Sequence, residues 1–420
     1  MSDSNDTVIE RILQLQGSDP RPDGPSRRLL VSDPEGFGAI LHSTAFERTD
    51  FVRLLAGPGL LASDGDRWRE RRRIVQPAFP PRRPEAHLEH IEWAMPAFIE
   101  RLEDLARDRR PTCLLEEVTR IVGRIIYRSV FGIEIDPDDH RIARFEPMLH
   151  AAGELMLSLV TPGGRVDGPL VDRVRRTRIA ADEEIDWILD RRRTRPVEGV
   201  DDALGRLLAA REEGLIDDEG IRDEVRALVL ASTETSSNSL VWCLRLLDGG
   251  PEIRATIEQE LDADDETRLE AAILETLRLY PPVWSNERQA IVATELANRQ
   301  WAIGDRAVLS VYRLHRDPAL WPDPDRFDPD RFIDPEGGPR RPPHRFAYLP
   351  FGAGRHLCVG RNLALLEMNR ILRTILGGFR IEFEDPDAIE PMLGVVIRAA
   401  TPITVRVAGR DPLQASEPPE

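Results

Sequence analysis

Long runs in which apolar residues recur at steps of three and four set the tightest limit on what this chain can fold into. "LLEEVTRIVGRIIYRSVFG" (114–132), "VDRVRRTRIAADEEIDWILDRRR" (171–193) and "DEGIRDEVRALVLASTETSSNSLVWCLRLLDGG" (218–250) all carry this period, which a helix turns into one apolar face. The third run is the longest. It opens on acidic residues, which suit a helix N-terminus, and stops at Asp248-Gly249-Gly250. Another helix is expected from about Thr267 to Tyr280, ended by Pro281-Pro282. Strand signals are short and late: "QWAIG", "AVLSVYR", "FRIEFE" and the terminal "PITVRVAG". Between them lies "HRDPALWPDPDRFDPDRFIDPEGGPRRPPHRF", a long proline- and aspartate-rich meander of the kind that is usually functional inside a compact domain. The expectation is a mainly α chain with a minor β-sheet region.

Length and hydrophobic content (420 residues, 41%) allow a large core, and a single helical domain over 26–410 is expected. Residues 1–25 read as a flexible N-terminal segment and 411–420 as a tail. No apolar run reaches the roughly 20 residues that cross a bilayer, so no membrane span is expected. "MSDSNDTVIE" lacks the basic and apolar parts of a signal peptide, which makes the cytoplasm the default location. A net charge of -17 argues against nucleic acid as a partner. All the positive charge is arginine, a feature of coding bias more than of fold.

Three cysteines without CxxC spacing argue against a disulfide framework and a structural zinc site. Cys113 and Cys243 lie among leucines and valines, where a thiol acts as a small apolar group. Cys358 is different. In "FGAGRHLCVG" (351–360) it stands between glycines and directly before the amphipathic "GRNLALLEMNRILRTILGG". Free backbone N–H groups and the positive end of the helix dipole would favour a thiolate there. Gly352, Gly354 and Gly360 would clear side chains from its surroundings. Such a sulfur serves as a nucleophile, with His356 as a nearby base, or as a metal ligand.

The stretch resembles the haem-binding loop of the cytochrome P-450 superfamily, Phe-Gly-x-Gly-x-(Arg or His)-x-Cys-x-Gly. Phe351, Gly352, Gly354, His356, Cys358 and Gly360 fill its fixed positions. The resemblance implies a single-domain helical bundle around haem b, with Cys358 as axial thiolate, the ligand type that favours O–O cleavage. Phe351 would pack beside the sulfur. His356, or Arg355 next to it, would donate to a haem propionate. Glu275 and Arg278 in "AILETLRLYPP" match the family's Glu-x-x-Arg pair, and Arg331 in "FDPDRF" its third member. Alone, such a pair is usually a solvated surface pair. Here its order before the meander implies a buried structural trio. Trp68 and Arg72 in "DGDRWRERRRIVQPAF" match a Trp-x-x-x-Arg motif that contacts propionates, as does Arg288. Arg67, Arg69, Arg71 and Arg73 around them read as a solvated face or as a docking patch for an acidic electron donor.

In the long helix, "ASTETSS" resembles the family's Ala-Gly-x-(Asp/Glu)-Thr-(Thr/Ser). It implies Ala231 over the iron and Glu234-Thr235 as the acid–alcohol relay that delivers protons to dioxygen. Ser232 replaces the usual glycine. The family's distal-pocket segments map onto Leu228, Val283, Trp284, Ser285, Asn286 and the Gly394-Val395-Val396 turn, a mix suited to a lipophilic substrate. "LRLYPPVW" points to terpenoid or fatty acyl substrates by analogy. The implied activity is a monooxygenase fed with NAD(P)H electrons by a separate ferredoxin and its reductase. Two other readings stand beside it: a peroxide-driven or non-oxygenating haem-thiolate enzyme, and a haem-binding protein without turnover. Retention of Glu234-Thr235 counts against the peroxide route.

Overall fold

The computed structural model describes residues 27–410 apart from 50, 51, 53–55, 81–83, 140, 161–167 and 197–200. The expected segments 1–25 and 411–420 lie outside the described residues. Helices of eight residues or more are α1 (Pro34–His42), α2 (Gly65–Val75), α3 (Leu88–Asp108), α4 (Leu114–Phe131), α5 (Glu146–Val160), α6 (Gly168–Thr194), α7 (Ala203–Glu212), α8 (Asp218–Asp248), α9 (Pro251–Asp262), α10 (Thr267–Leu279) and α11 (Arg361–Gly378). The runs read as helical at 114–132, 171–193, 218–250 and 267–280 correspond to α4, α6, α8 and α10.

The strands are β1 (Arg28–Val31), β2 (Phe46–Arg48), β3 (Thr112–Cys113), β4 (Ser285–Ala290), β5 (Thr294–Leu296), β6 (Arg299–Trp301), β7 (Arg306–Ser310), β8 (Phe379–Phe383), β9 (Pro391–Leu393), β10 (Ile397–Ala399) and β11 (Thr404–Gly409). One sheet has the order β1-β7-β4-β2, with β1 parallel to β7 and the other pairs antiparallel. A second is β3-β11-β8, and β5–β6 and β9–β10 are hairpins. "AVLSVYR" does not stay extended. The Ser310 side chain accepts from Arg313 N at 3.4 Å and turns the strand into one helical turn, Val311–Leu314.

α8 passes through the main core, which it shares with α3, α4, α10 and α11. Asp217 caps its start by accepting from Gly220 N at 2.8 Å. Most of its residues are buried, yet Ala231, at its centre, is exposed. The space Ala231 faces is the cavity described next.

Candidate active site

Phe351–Gly360 folds as a tight loop ahead of α11. Gly352 and Gly354 hold φ of 71° and 68°, a left-handed conformation that favours glycine. Gly354 also approaches the Leu41 carbonyl, 3.1 Å from where a Cβ would sit. Gly360 needs neither freedom: its φ is -86° and a Cβ would meet nothing within 4 Å. Cys358 N donates to the Phe351 carbonyl at 3.0 Å and closes the loop. The Cys358 residue is solvent-accessible and lines a cavity of about 460 Å³. Backbone N–H groups of Gly360 and Arg361 aim at the sulfur, and Arg72 and Arg361 add positive field. Burial nevertheless outweighs them and pushes the thiol up. The N–H groups at the helix start act in the expected direction, toward the thiolate, with burial as the larger opposing influence.

Glu275 and Arg278 of α10 are 0% exposed. Arg278 Nε and Nη2 donate to Glu275 at 2.7 and 2.8 Å. Arg331 Nε reaches the same carboxylate at 3.3 Å and Asp328 N at 3.0 Å. Arg278 also donates to the carbonyls of His315, Pro324 and Arg326. The meander is thus laced to one buried ion pair with every polar atom answered. His315 extends the network: it is fully buried, held neutral with its pKa lowered to about 3 by burial, and its Nε2 accepts from Leu349 N at 2.8 Å. Sequence reasoning passed over it, because a lone histidine in "YRLHRD" carries no spacing signal.

At one end of the cavity, Arg48, Arg72, Arg288 and His356 converge. Arg48, at the end of β2, is half-buried, and its pKa is lowered to about 9 by burial and then by Arg288. Burial likewise lowers Arg72 and Arg288. Asp64, which precedes α2, is the carboxylate that offsets them. It accepts from Arg48 N at 2.8 Å and lies 2.8 Å from His356 Nε2. The Trp68 ring stacks obliquely on His356, centroids 4.8 Å apart. Arg72 Nη1 donates to the Leu357 carbonyl at 2.8 Å, which ties α2 to the cysteine loop. Arg355 is directed elsewhere, to the Ser43 carbonyl, and does not line the cavity. Arg48 Nε and His356 Nδ1 are buried with no hydrogen-bond partner among the described residues. Cations crowded in this way, with donors left over, call for an anionic ligand. Arg48 and Asp64 were not foreseen, since "FERTD" and "LASDGD" read as ordinary polar turns.

Along α8, Glu224, Leu228, Ala231, Thr235 and Ser239 recur at helical spacing and form one stripe of the cavity wall. Their hydroxyl neighbours bond backward: Ser232 to Leu228 O at 2.6 Å, Thr233 to Val229 O at 3.2 Å, Thr235 to Ala231 O at 2.8 Å. The Glu234 carboxyl is different. One of its oxygens is buried without a partner among the described residues, and burial pushes the group up to about 7, while Arg398 on β10 pulls the other way. A carboxyl poised near neutrality can hold a proton or give it up.

Val283, Trp284, Ser285, Asn286, Val395 and Val396 all line the cavity. Trp284 is a special case, only 1% exposed, packed with Trp242, Tyr312, Leu393 and Ile397. Its Nε1 donates to Gly394 O at 2.9 Å, so it braces the 394–396 turn more than it presents a surface. The apolar remainder of the wall comes from Leu60, Phe79, Ile126, Val130, Leu149 and Met156. A sulfur opposite a helix stripe, a cationic end and an apolar body together fit a flat, doubly carboxylated iron macrocycle with a lipophilic molecule beside it.

The comparisons agree. The family model for cytochrome P450 matches residues 23–406. Cyclooctat-9-en-7-ol 5-monooxygenase of Streptomyces melanosporofaciens is 32% identical over 387 residues, covering 85% of this chain and 81% of that protein. Putative cytochrome P450 132 of Mycobacterium tuberculosis is 26% identical, covering 94% and 92%. The solved haem domain of cytochrome P450DA superposes with a TM-score of 0.80 at 24% identity, over 98% of this chain and 95% of that one, a likeness of fold. No helix among the described residues is long and apolar enough to cross a membrane. With a family match over nearly its full length and a monooxygenase relative across most of it, this chain belongs to the cytochrome P450 family and is a haem-dependent monooxygenase.

Proposed function

We propose that the protein, one domain over 26–410, holds haem b with Cys358 on iron and oxidises a lipophilic small molecule by hydroxylation or epoxidation. The observation that carries this reading is one cavity lined by both Cys358 and the Ala231–Thr235 stripe, with Arg48, Arg72 and Arg288 also in its wall. Held by a thiolate, haem supplies the binding and reductive activation of O2. Arg72 and Arg288 take the propionates, joined by Arg48, while Trp68 and Asp64 set the orientation of His356. Phe351 packs beside the sulfur and Gly352 and Gly360 keep its surroundings open. Glu275, Arg278 and Arg331 fix the loop. Glu234, uncharged or charged near neutral pH, passes a proton to Thr235, whose hydroxyl must swing from the Ala231 carbonyl to hand it on. The apolar wall, with Leu228, Val283, Ser285 and Val395, excludes water from the substrate and orients it; Trp284 holds the 394–396 turn.

The substrate class we favour is a cyclic terpenoid-type alcohol or alkene, by likeness to the substrate for which the Streptomyces relative is named. Electrons come from NAD(P)H through a reductase and a ferredoxin docked on the arginine-rich face of α2, in the cytoplasm. Purified protein should bind haem and show the thiolate-type band of the reduced carbon monoxide complex. Cys358→Ser should abolish that band. An unaltered spectrum in the variant would sink the assignment.

A further inference from the structure

Residues 56–62 form one wall of the cavity through Ala56, Leu60 and Leu61, and one buried carboxylate seats them. Glu224 lies one turn before Leu228 on the cavity stripe of α8 and is 0% exposed. Its two oxygens lie 2.9 and 3.0 Å from Leu60 N, so a single backbone N–H donates to both. The nearest cation, Arg71 of α2, stands at 3.7 Å. The glycines of the segment show how close the seat is. Gly57, at φ 74°, faces Asp223, where a Cβ would come within 2.0 Å of Oδ1. A Cβ on Gly59 would stand 3.1 Å from Glu224 Oε1 and 3.2 Å from the Asp223 carbonyl. Asp223 is in turn held by Arg226 Nη1 at 2.7 Å. A glutamate with one distant cation and one N–H is an expensive way to stabilise a fold. Its return lies in geometry: it fixes how far Leu60 and Leu61 reach into the cavity.

We propose that Glu224 is a positioning residue that sets substrate size selection by pinning the 56–62 wall to α8. The inference rests on the cavity being the substrate pocket of the haem enzyme. It does not depend on the chemistry at Glu234. Glu224 touches neither the sulfur nor the cationic end, so its removal should alter fit without altering haem ligation.

The test uses the full-length, haem-loaded protein and three iron-ligating probes of rising bulk: imidazole, 4-phenylimidazole and triphenylmethylimidazole. Imidazole stays at the iron and serves as the reference. In Glu224→Ala the affinity ratio of each bulky probe to imidazole should change at least about fivefold, with the reduced carbon monoxide band unmoved. Glu224→Gln keeps an acceptor and should restore most of the wild-type ratio. Gly59→Ala, which leaves the carboxylate in place and pushes the wall, should shift the ratio without loss of haem. A readout independent of haem is amide hydrogen exchange of the peptide spanning 56–62, which should quicken at least about tenfold in Glu224→Ala while α4 and α10 stay protected. Unchanged ratios in Glu224→Ala and Gly59→Ala, or unchanged exchange at 56–62 in Glu224→Ala, overturn the proposal. Failure of wild type to bind haem would overturn the active-site reading instead, with the exchange experiment still deciding the wall.

Discussion

Glu275 on α10 and Glu234 on α8 are both glutamates buried in the same helical core, and the fold treats them in opposite ways. Glu275 is met by the Arg278 fork, by Arg331 and by the Asp328 amide. Glu234 keeps an oxygen with no partner among the described residues and feels the opposing fields of Arg398 and Glu146. Burial raises both carboxyls, and at Glu234 it carries the group to about 7. The first arrangement gives rigidity: a charge with every lone pair answered has one geometry. The second gives reactivity, because a carboxyl left half-satisfied near neutral pH changes state at little free-energy difference. The same contrast separates Arg278, fully engaged, from Arg48, whose Nε has no partner among the described residues.

The sharpest way to break this comparison is to remove each acid in turn. Glu275→Ala strands a fully buried guanidinium, which should lower stability by roughly 3–5 kcal/mol. We expect a large fall in the urea unfolding midpoint and little haem-loaded protein, because the meander loses its anchor. Glu234→Ala removes no satisfied bond and should shift the midpoint by less than about 1 kcal/mol. Equal destabilisation by the two changes would mean that satisfaction of hydrogen bonds does not distinguish scaffold from chemistry here.

Activity should rank them the other way. Glu234→Gln keeps volume and burial but cannot release a proton, so kcat should fall by about 100-fold, the scale of a positioned acid or base. The spectral dissociation constant for substrate should stay within about twofold. The ratio of product formed to NAD(P)H consumed checks this: it should drop, since reduced oxygen would leave without the directed proton. A Glu234→Gln enzyme with wild-type turnover and coupling would remove Glu234 from the relay.

Much of the scaffold was legible because its cause is local. Period and caps place α4, α8 and α10 within a residue or two and α6 within three, and the Glu275–Arg278 spacing of three is itself a helix-face relation. The strands were harder. β1, β2, β9 and β10 are three or four residues long, and nothing in "FER" or "IRA" alternates enough to declare a strand before its partner is known. In the site, residues carried by motif were found, whereas those supplied by distant contacts were not. Arg48 meets Arg288 because β2 pairs with β4 in the register Arg48↔Arg288, a relation across 240 residues of chain. Glu224 and Glu367 looked like polar members of amphipathic helices. Only the packing of 56–62 and of α11 against α8 buries them.

Glu367 gives a smaller expected effect on stability than Glu275, and a test of sign. It sits on α11, 1% exposed, bonded to the Ser236 hydroxyl, with one oxygen lacking a partner among the described residues. Burial raises it to about 8 from an ordinary 4.5. Between those values the unfolded chain gives up a proton that the folded chain keeps, so stability must fall as pH rises through the window. Glu224 and Glu234, both raised to about 7, act in the same sense over a narrower range. A tenfold difference in proton affinity between folded and unfolded chain is worth about 1.4 kcal/mol, and relaxation around a buried group reduces what is observed. Glu367→Gln cannot ionise. Its loss of stability from pH 5 to pH 8, read by urea unfolding, should therefore be smaller than wild type by about 1–2 kcal/mol. A variant with the wild-type slope would place the proton elsewhere and make Glu367 a satisfied structural acid like Glu275, erasing the distinction on the α11 side of α8.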